Sequence, residues 1–403
     1  MTGPGRAEPV WIPDHARDDP THPPGASPRI AMVAGEASGD LLAGLLLGGL
    51  RRRWPALQAV GIGGPRMQAQ GFQAWWPHEK LAVRGYVEVL RHYREIVGIR
   101  RQLKDRLLRE PPRLFVGVDA PDFNLDLEAD LRAAGLKTVH FVCPSIWAWR
   151  PERIARIRSA CDHVLCIFPF EPQLLARNGV RATYVGHPLA GVIPLQPDRA
   201  AARQALGLPE QGEVLAILPG SRASEVQYLA RPFFDAAVLL QRSRPGLRFV
   251  VPALPSLRRA IETAAHRAGL RDGLHIVDGQ SHEVLAACDL TLIASGTATL
   301  EAALFKRPMV IAYRMNAISW QIMRRKQLQP WVGLPNILAE DFVVPELLQH
   351  DANPRALARA VLEWLEAPAR MAAVQEKFTV LHHQLRRDTA TLATDAIEKV
   401  IQG

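Results

Sequence analysis

The chain has 403 residues, of which 48% are hydrophobic and 22% charged. At ~150 residues per domain that is enough for two or three cores, and the balance excludes collagen-like, fibrous and wholly disordered proteins. The net charge of +9 points to an anionic partner, whether nucleic acid, a membrane face or a phosphorylated substrate, without choosing among them.

Residues 1–28 are rich in Pro, Gly, Asp and His, lack a signal-peptide h-region, and read as a disordered extension. From Arg29 short β-branched runs alternate with amphipathic stretches. Strands are expected at Ile30–Ala34, Leu57–Ile62, Leu114–Asp119, Thr138–Cys143, His163–Ile167 and Thr183–Val185, with helices such as Leu41–Arg53 and Leu125–Ala134 between them. This is the pattern of parallel β-α-β units and predicts a Rossmann-like domain over 29–190. The apolar run Leu41–Leu50 has ten residues, about half the ~20 of a membrane span. Residues 191–212 read as a linker. Alternation resumes over 213–345, with strands at Val214–Leu218, Arg248–Val251, His275–Val277, Leu290–Ala294 and Met309–Ala312. Residues 346–403 read as helices only (Arg355–Leu365, Pro368–Leu385, Thr389–Ile401), packing on their own N-terminal domain or on a partner's in a homodimer. The predicted fold class is α/β: two doubly wound sheets facing across a cleft.

Open parallel sheets bind ligands at the carboxyl ends of their strands, and the informative motifs all fall there. In A-G-E-A-S-G-D (Ala34–Asp40), Asp40 suits helix capping and Ser38 either capping or an acceptor or acyl-chain contact, while Glu36 suits substrate binding or proton transfer. In G-V-D-A-P-D-F (Gly117–Phe123), Asp119 ends an apolar strand, where an unpaired carboxylate is unfavourable unless it is used; it is a candidate general base. Asp122 fits an N-cap. In C-P-S-I-W-A-W-R (Cys143–Arg150), Trp147 and Trp149 suit a sugar face or an acyl chain, or plug the space between domains.

The second domain supplies L-P-G-S-R-A-S-E-V (Leu218–Val226). Its Gly220-Ser221 turn offers amides to a phosphate, Arg222 a forked cationic donor for diphosphate oxygens, and Glu225 a partner for Arg222. In S-G-T-A-T-L-E (Ser295–Glu301) a helix begins near Gly296. Ser295, Gly296 and Thr297 suit a phosphate, and Glu301, one turn beyond Thr297 on the same face, suits ribose hydroxyls. Asn336 in G-L-P-N-I-L-A (Gly333–Ala339) suits a donor or phosphate contact, or a turn.

G-I-G-G-P-R (Gly61–Arg66) is not a dinucleotide fingerprint, and no P-loop or H-E-x-x-H occurs. No metal site or cofactor is expected. His382 and His383 read as surface residues. Cys143, Cys161, Cys166 and Cys288 show no paired spacing and read as buried thiols of a reducing compartment. Around Tyr86–Arg101, the apolar Val87, Val89, Leu90 and Tyr93 are interspersed with cations including Arg91 and Arg94, as on a helix lying at an anionic bilayer.

Taken together and in order, these blocks resemble the lipid-A-disaccharide synthase family of inverting GT-B glycosyltransferases. Added to them are G-G-P-R-M-Q-A-Q-G (Gly63–Gly71) and L-A-V-R-G-Y-V-E-V-L (Leu81–Leu90). The likeness runs from about Arg29 to the end. Cys143 and Ile146 depart modestly from the family pattern, and the N-terminal extension is atypical. The resemblance implies transfer from UDP-2,3-diacylglucosamine to 2,3-diacylglucosamine 1-phosphate, giving a β-1,6 disaccharide and UDP, by a peripheral protein on the cytoplasmic face of the inner membrane. It also implies that Glu36, Asp119, Arg222 and Asn336 occupy positions on which the family depends. A UDP-sugar 2-epimerase would share the UDP half without needing a lipid acceptor. A nucleic-acid-binding protein would concentrate its basic residues in a stripe, whereas here they are spread along the chain, and no nucleic-acid partner is expected.

Overall fold

The computed structural model describes residues 28–81, 86–148 and 151–403, with the side chains of residues 37, 86–93, 318 and 322 outside the description. The strands run β1 Arg29–Ala34, β2 Gln58–Gly63, β3 Gln73–Pro77, β4 Leu114–Val118, β5 Thr138–Phe141, β6 His163–Cys166 and β7 Ala182–Tyr184, then β8 Val214–Leu218, β9 Arg248–Ala253, β10 Leu274–Asp278, β11 Leu290–Ala294, β12 Met309–Tyr313 and β13 Glu346–Leu348. They form two parallel sheets, ordered β3-β2-β1-β4-β5-β6-β7 and β10-β9-β8-β11-β12-β13. The central strands β4, β8 and β11 are buried along their whole length, as parallel strands covered by helices on both faces must be.

Each strand order reverses once, between β1 and β4 in the first sheet and between β8 and β11 in the second. Those two pairs are hydrogen-bonded in register, Ala34 opposite Val118 and Ile293 opposite Leu218. A ligand crevice opens where connections leave a sheet in opposite directions. The loops after these four strands therefore frame the functional region.

Three expectations for the C-terminal segment need correction. Residues 346–348 are not helical but form β13, which pairs with β12 at the sheet edge. The helix Pro354–Leu365 also belongs to the second sheet's outer layer: its buried Trp364 donates Nε1–H to Met309 O at 3.2 Å. The helix Pro368–Leu385 reaches the first sheet at Gln384 O, which accepts from Tyr184 Oη of β7 at 2.8 Å, and the last helix, Thr389–Gln402, packs on that sheet. There Arg53, at the end of the helix Ala37–Arg53, pairs with Asp395 at 2.6 Å and with Glu398. His382 is not at the surface. It is fully buried, donating Nε2–H to Ala190 O (2.9 Å) and accepting at Nδ1 from Lys306 Nζ (2.7 Å), which ties the helix Pro368–Leu385 both to the end of the first domain and to the turn before β12. All four cysteines are free and buried.

Candidate active site

At the end of β4 the backbone takes an unusual path. Asp119 and Ala120 lie at φ +52° and +44°, consecutive left-handed residues without glycine, a strain of order 1–2 kcal/mol each. The turn is held by Asn124, fully buried, whose Nδ2 donates to Asp119 O at 2.8 Å. It is packed from the β1 side as well, since a Cβ on Gly35 would stand 3.3 Å from the Cβ of Ala120. The first two motifs are thus neighbours. Burial raises the Asp119 carboxyl above its ordinary range, opposed by the charge of His140 and the Ala120 N–H and reinforced by the charge of Glu36. A carboxylate close to a second carboxylate, in a strained turn at the switch point, is placed for proton transfer.

Of the other acidic residues in these two motifs, Asp40 and Asp122 do other work. Glu36 is the N-cap residue of the helix Ala37–Arg53, without a capping side-chain bond, and Ser38 is exposed in its first turn. Asp40 caps, but not its own helix: it accepts from the amides of Gly64, Arg66 and Met67 at 2.8–3.1 Å, closing the start of the helix Pro65–Ala69. Asp122 is not an N-cap. That place is taken by Ala120, and Asp122 reaches out to Arg153.

The second half-site is built mainly from helix N-termini, and two of its carboxylates already occupy such positions. Glu225 accepts from the amides of Ser221 (2.9 Å) and Arg222 (3.2 Å) and pairs with the Arg222 guanidinium at 3.3 Å. Gly220, at φ +127°, permits this, because a Cβ there would lie 2.4 Å from Glu225 Cβ. The Gly220-Ser221 turn expected to cradle phosphate is therefore filled by the chain's own carboxylate. Arg222, tethered at its base, keeps a side chain that is 61% exposed.

Asn336 likewise departs from expectation. It is fully buried, donating to Val344 O (2.9 Å) and Glu346 Oε1 (2.8 Å) and accepting from Val344 N (3.0 Å). Glu346 in turn accepts from the amides of Val332 and Gly333, both at 2.9 Å. Asn336 fixes this loop rather than facing a ligand. Glu301 lies 3.6 Å from His282 Nε2 and, through that contact, raises the imidazole's pKa. The helix Thr297–Leu304 differs from its neighbours. Its N-cap, Gly296, supplies no side chain, and Ser295 turns its hydroxyl away to Val332 O at 2.9 Å.

A cavity of about 310 Å³ lies between the two sheets. Arg222, Glu225, Ser295, Gly296, Thr297 and Tyr313 line it from the second half, and Ser145, Trp147 and Ala148 from the first. A backbone bond from Leu328 N to Ala148 O (3.1 Å) joins the two sides. Trp147 is anchored by its Nε1–H to Glu171 Oε1 at 3.1 Å and packs edge-on against Phe168 and Phe170. Glu171 is fully buried, and that burial pushes its pKa up to about 8. The cavity thus unites Arg222, Ser295, Gly296, Thr297 and Trp147, while Gly220, Ser221, Glu301 and Asn336 are not among its lining residues. Trp149 lies outside the described residues, as do the side chains of Val87, Val89, Leu90, Arg91 and Tyr93; Arg94 is exposed.

Sequence reasoning missed the group behind Asp119. Glu128, His140 and Cys161, all buried, hold their donor atoms within 4.8 Å of one another. They form a proton-linked network rather than a set of open ligands, because Glu128 is bonded both to His140 Nδ1 and to the Cys161 thiol. A charged residue inside the apolar run Thr-Val-His-Phe was the available signal.

The family model described as lipid-A-disaccharide synthetase matches residues 30–399 of this chain. The lipid-A-disaccharide synthase of Albidiferax ferrireducens is 68% identical over 380 residues, covering 93% of this chain and 98% of its own length. Among solved structures, UDP-GlcNAc 2-epimerase from Neisseria meningitidis bound to UDP-GlcNAc superposes with a TM-score of 0.62 at 10% identity, covering 93% of this chain and 99% of its own. CalG4, the calicheamicin glycosyltransferase, gives 0.60 at 16%, covering 93% and 98%. At such identities the structures speak for the fold alone, which is GT-B.

Proposed function

The chain belongs to the lipid-A-disaccharide synthetase family of glycosyltransferases, and from that premise we propose that it carries out inverting transfer of 2,3-diacylglucosamine. The donor is its UDP derivative, the acceptor is the 6-hydroxyl of 2,3-diacylglucosamine 1-phosphate, and the products are the β-1,6 disaccharide and UDP. Asp119 removes the acceptor proton as the hydroxyl oxygen attacks the anomeric carbon, with Glu36 in support. The bond to the leaving phosphate breaks on the opposite face. Arg222 and the N-terminus of the helix Thr297–Leu304 take up the charge that develops on UDP. Trp147 lies against the sugar or its acyl chains.

The observation that carries this reading is the pairing of half-sites. A strained, raised-pKa carboxylate sits at one switch point, and an uncapped helix start beside an exposed Arg sits at the other. Glu225 and Glu346 already occupy their helix starts, which favours Gly296-Thr297 as the diphosphate site, with Arg222 beside it. Peripheral placement on the cytoplasmic face of the inner membrane fits the basic helix Tyr86–Arg109; among the described residues no helix is long and apolar enough to cross a membrane.

The test is a transfer assay with UDP-2,3-diacylglucosamine, run with and without 2,3-diacylglucosamine 1-phosphate and scored by mass spectrometry. Acceptor-dependent UDP release with a tetraacyl disaccharide product is the expected result. Folded protein that forms no disaccharide from these substrates, or that only epimerises the donor, overturns the reading.

A further inference from the structure

The carboxylate assigned as base has a buried partner with no role in the reaction as proposed so far. His140 of β5 stands in register with Gly117 of β4, two residues before Asp119, and is fully buried. Its Nδ1 lies 2.8 and 3.1 Å from the two oxygens of Glu128, which is equally buried on the helix Pro121–Ala133. Gly117 makes room for the pair, since a Cβ there would stand 2.1 Å from Glu128 Oε1. A carboxylate on Nδ1 fixes the ring's orientation and favours its protonated form. His140 Nε2, by contrast, is buried and has no hydrogen-bond partner among the described residues. Most buried polar atoms are hydrogen-bonded, so an unpartnered nitrogen on a clamped, buried ring calls for a reason beyond packing.

The charged surroundings explain the ring's state. Burial works against a charge on His140, but Glu128 and then Asp119 outweigh it and raise its pKa. The favourable effect is mutual, for the charge of His140 is the chief influence lowering the Asp119 carboxyl. Against it stand burial and Glu36, from the turn after β1. The remaining neighbour, Cys161, follows the helix Arg153–Ala160 and donates its thiol to Glu128 Oε2 at 3.3 Å. Burial, with Glu128 and Asp162 and against Arg132, keeps that thiol protonated.

We propose that His140 is the positioning residue of the general base: clamped by Glu128, its protonated ring is the buried countercharge that keeps the Asp119 carboxylate ionised. This rests on the assignment of Asp119 above. In the transfer step the acceptor proton passes to Asp119 as the new C–O bond forms, the electron pair of the old bond leaves with UDP, and Asp119 later yields its proton to solvent. His140 keeps its own proton throughout.

The experiment measures kcat and KM against pH for wild type, Asp119→Asn, His140→Gln and Glu128→Gln, with thermal unfolding of each. With the countercharge gone, His140→Gln moves the acid limb of kcat to higher pH by about one unit or more, lowers kcat at neutral pH by roughly tenfold, and leaves KM for the donor near wild type. Glu128→Gln moves the limb in the same direction by less, and it carries the test if His140→Gln does not fold. A folded variant with reduced stability but an unmoved limb and unchanged kcat makes the pair structural and overturns the proposal. If instead Asp119→Asn turns over normally, it is the base assignment itself that fails.

Discussion

The two half-sites solve opposite electrostatic problems. Beneath the first sheet's switch point the chain buries ionisable groups: Glu128 and His140 fully, with Asp119 raised mainly by burial. At the second it uses backbone amides and an exposed guanidinium, and the carboxylates there, Glu225 and Glu346, serve as internal caps. Burial makes a carboxylate readier to take a proton, because desolvation disfavours its charge. Backbone dipoles and Arg stabilise negative charge without titrating near neutrality. One half is suited to removing a proton and the other to receiving a leaving diphosphate.

The strongest way to break that contrast is at its centre. Asp119→Asn, nearly isosteric and unable to accept a proton, is expected to lower kcat by ~10²–10⁴-fold, the usual worth of a general base, in steady-state UDP-release assays. Substituting Arg222 acts on the other half. Arg222→Ala weakens UDP affinity by roughly 10- to 100-fold, matching one charge-assisted hydrogen bond of about 1.5–3 kcal/mol. Arg222→Lys recovers only part of it, because the forked geometry is lost.

Asn336→Ala tests a sharper point. It leaves the N–H and C=O of buried Val344 without their Asn336 partner, while Glu346 Oε1 keeps the amide of Gly333, so a stability loss of about 1–3 kcal/mol is expected in urea unfolding. Wild-type stability with a selective loss of donor binding would return Asn336 to the role of ligand contact.

A pH-dependent effect concerns the Trp147 anchor. Glu171 has a folded pKa near 8 against an unfolded value of 4.5. A group raised in this way contributes stability that is full below pH 4.5 and is lost as pH rises through 8. Glu171→Gln cannot ionise, so the decline between pH 5 and 8 should flatten in urea titrations. An unchanged slope would place that titration elsewhere.

Much of this architecture is legible in the sequence. The central strands β8 and β11 match their expected limits, because strands buried on both faces read as unbroken apolar runs bounded by turns. β3 and β13 were missed for the converse reason. Both are short, half-buried edge strands, and β13 has only three residues and follows a proline. The setting of a candidate residue was legible wherever it depends on that residue's own loop, as with Asp119 at the end of β4 and Thr297 at its helix start. It was not legible where function depends on what another segment brings. No local pattern shows that Asn336 turns inward to Val344 or that His140 meets Glu128 across Gly117, whereas Glu225, three residues after Arg222, stands in the capping-box position of its own helix. His382 was misplaced for the same reason, since its burial comes from Ala190 and Lys306, both distant in sequence.

The division of labour is tested most directly by calorimetric titration of UDP into wild type, Asp119→Asn and Arg222→Ala. The account predicts that Asp119→Asn binds UDP with wild-type affinity although it does not turn over, while Arg222→Ala binds at least tenfold more weakly. Loss of UDP affinity in Asp119→Asn as large as that in Arg222→Ala would contradict it.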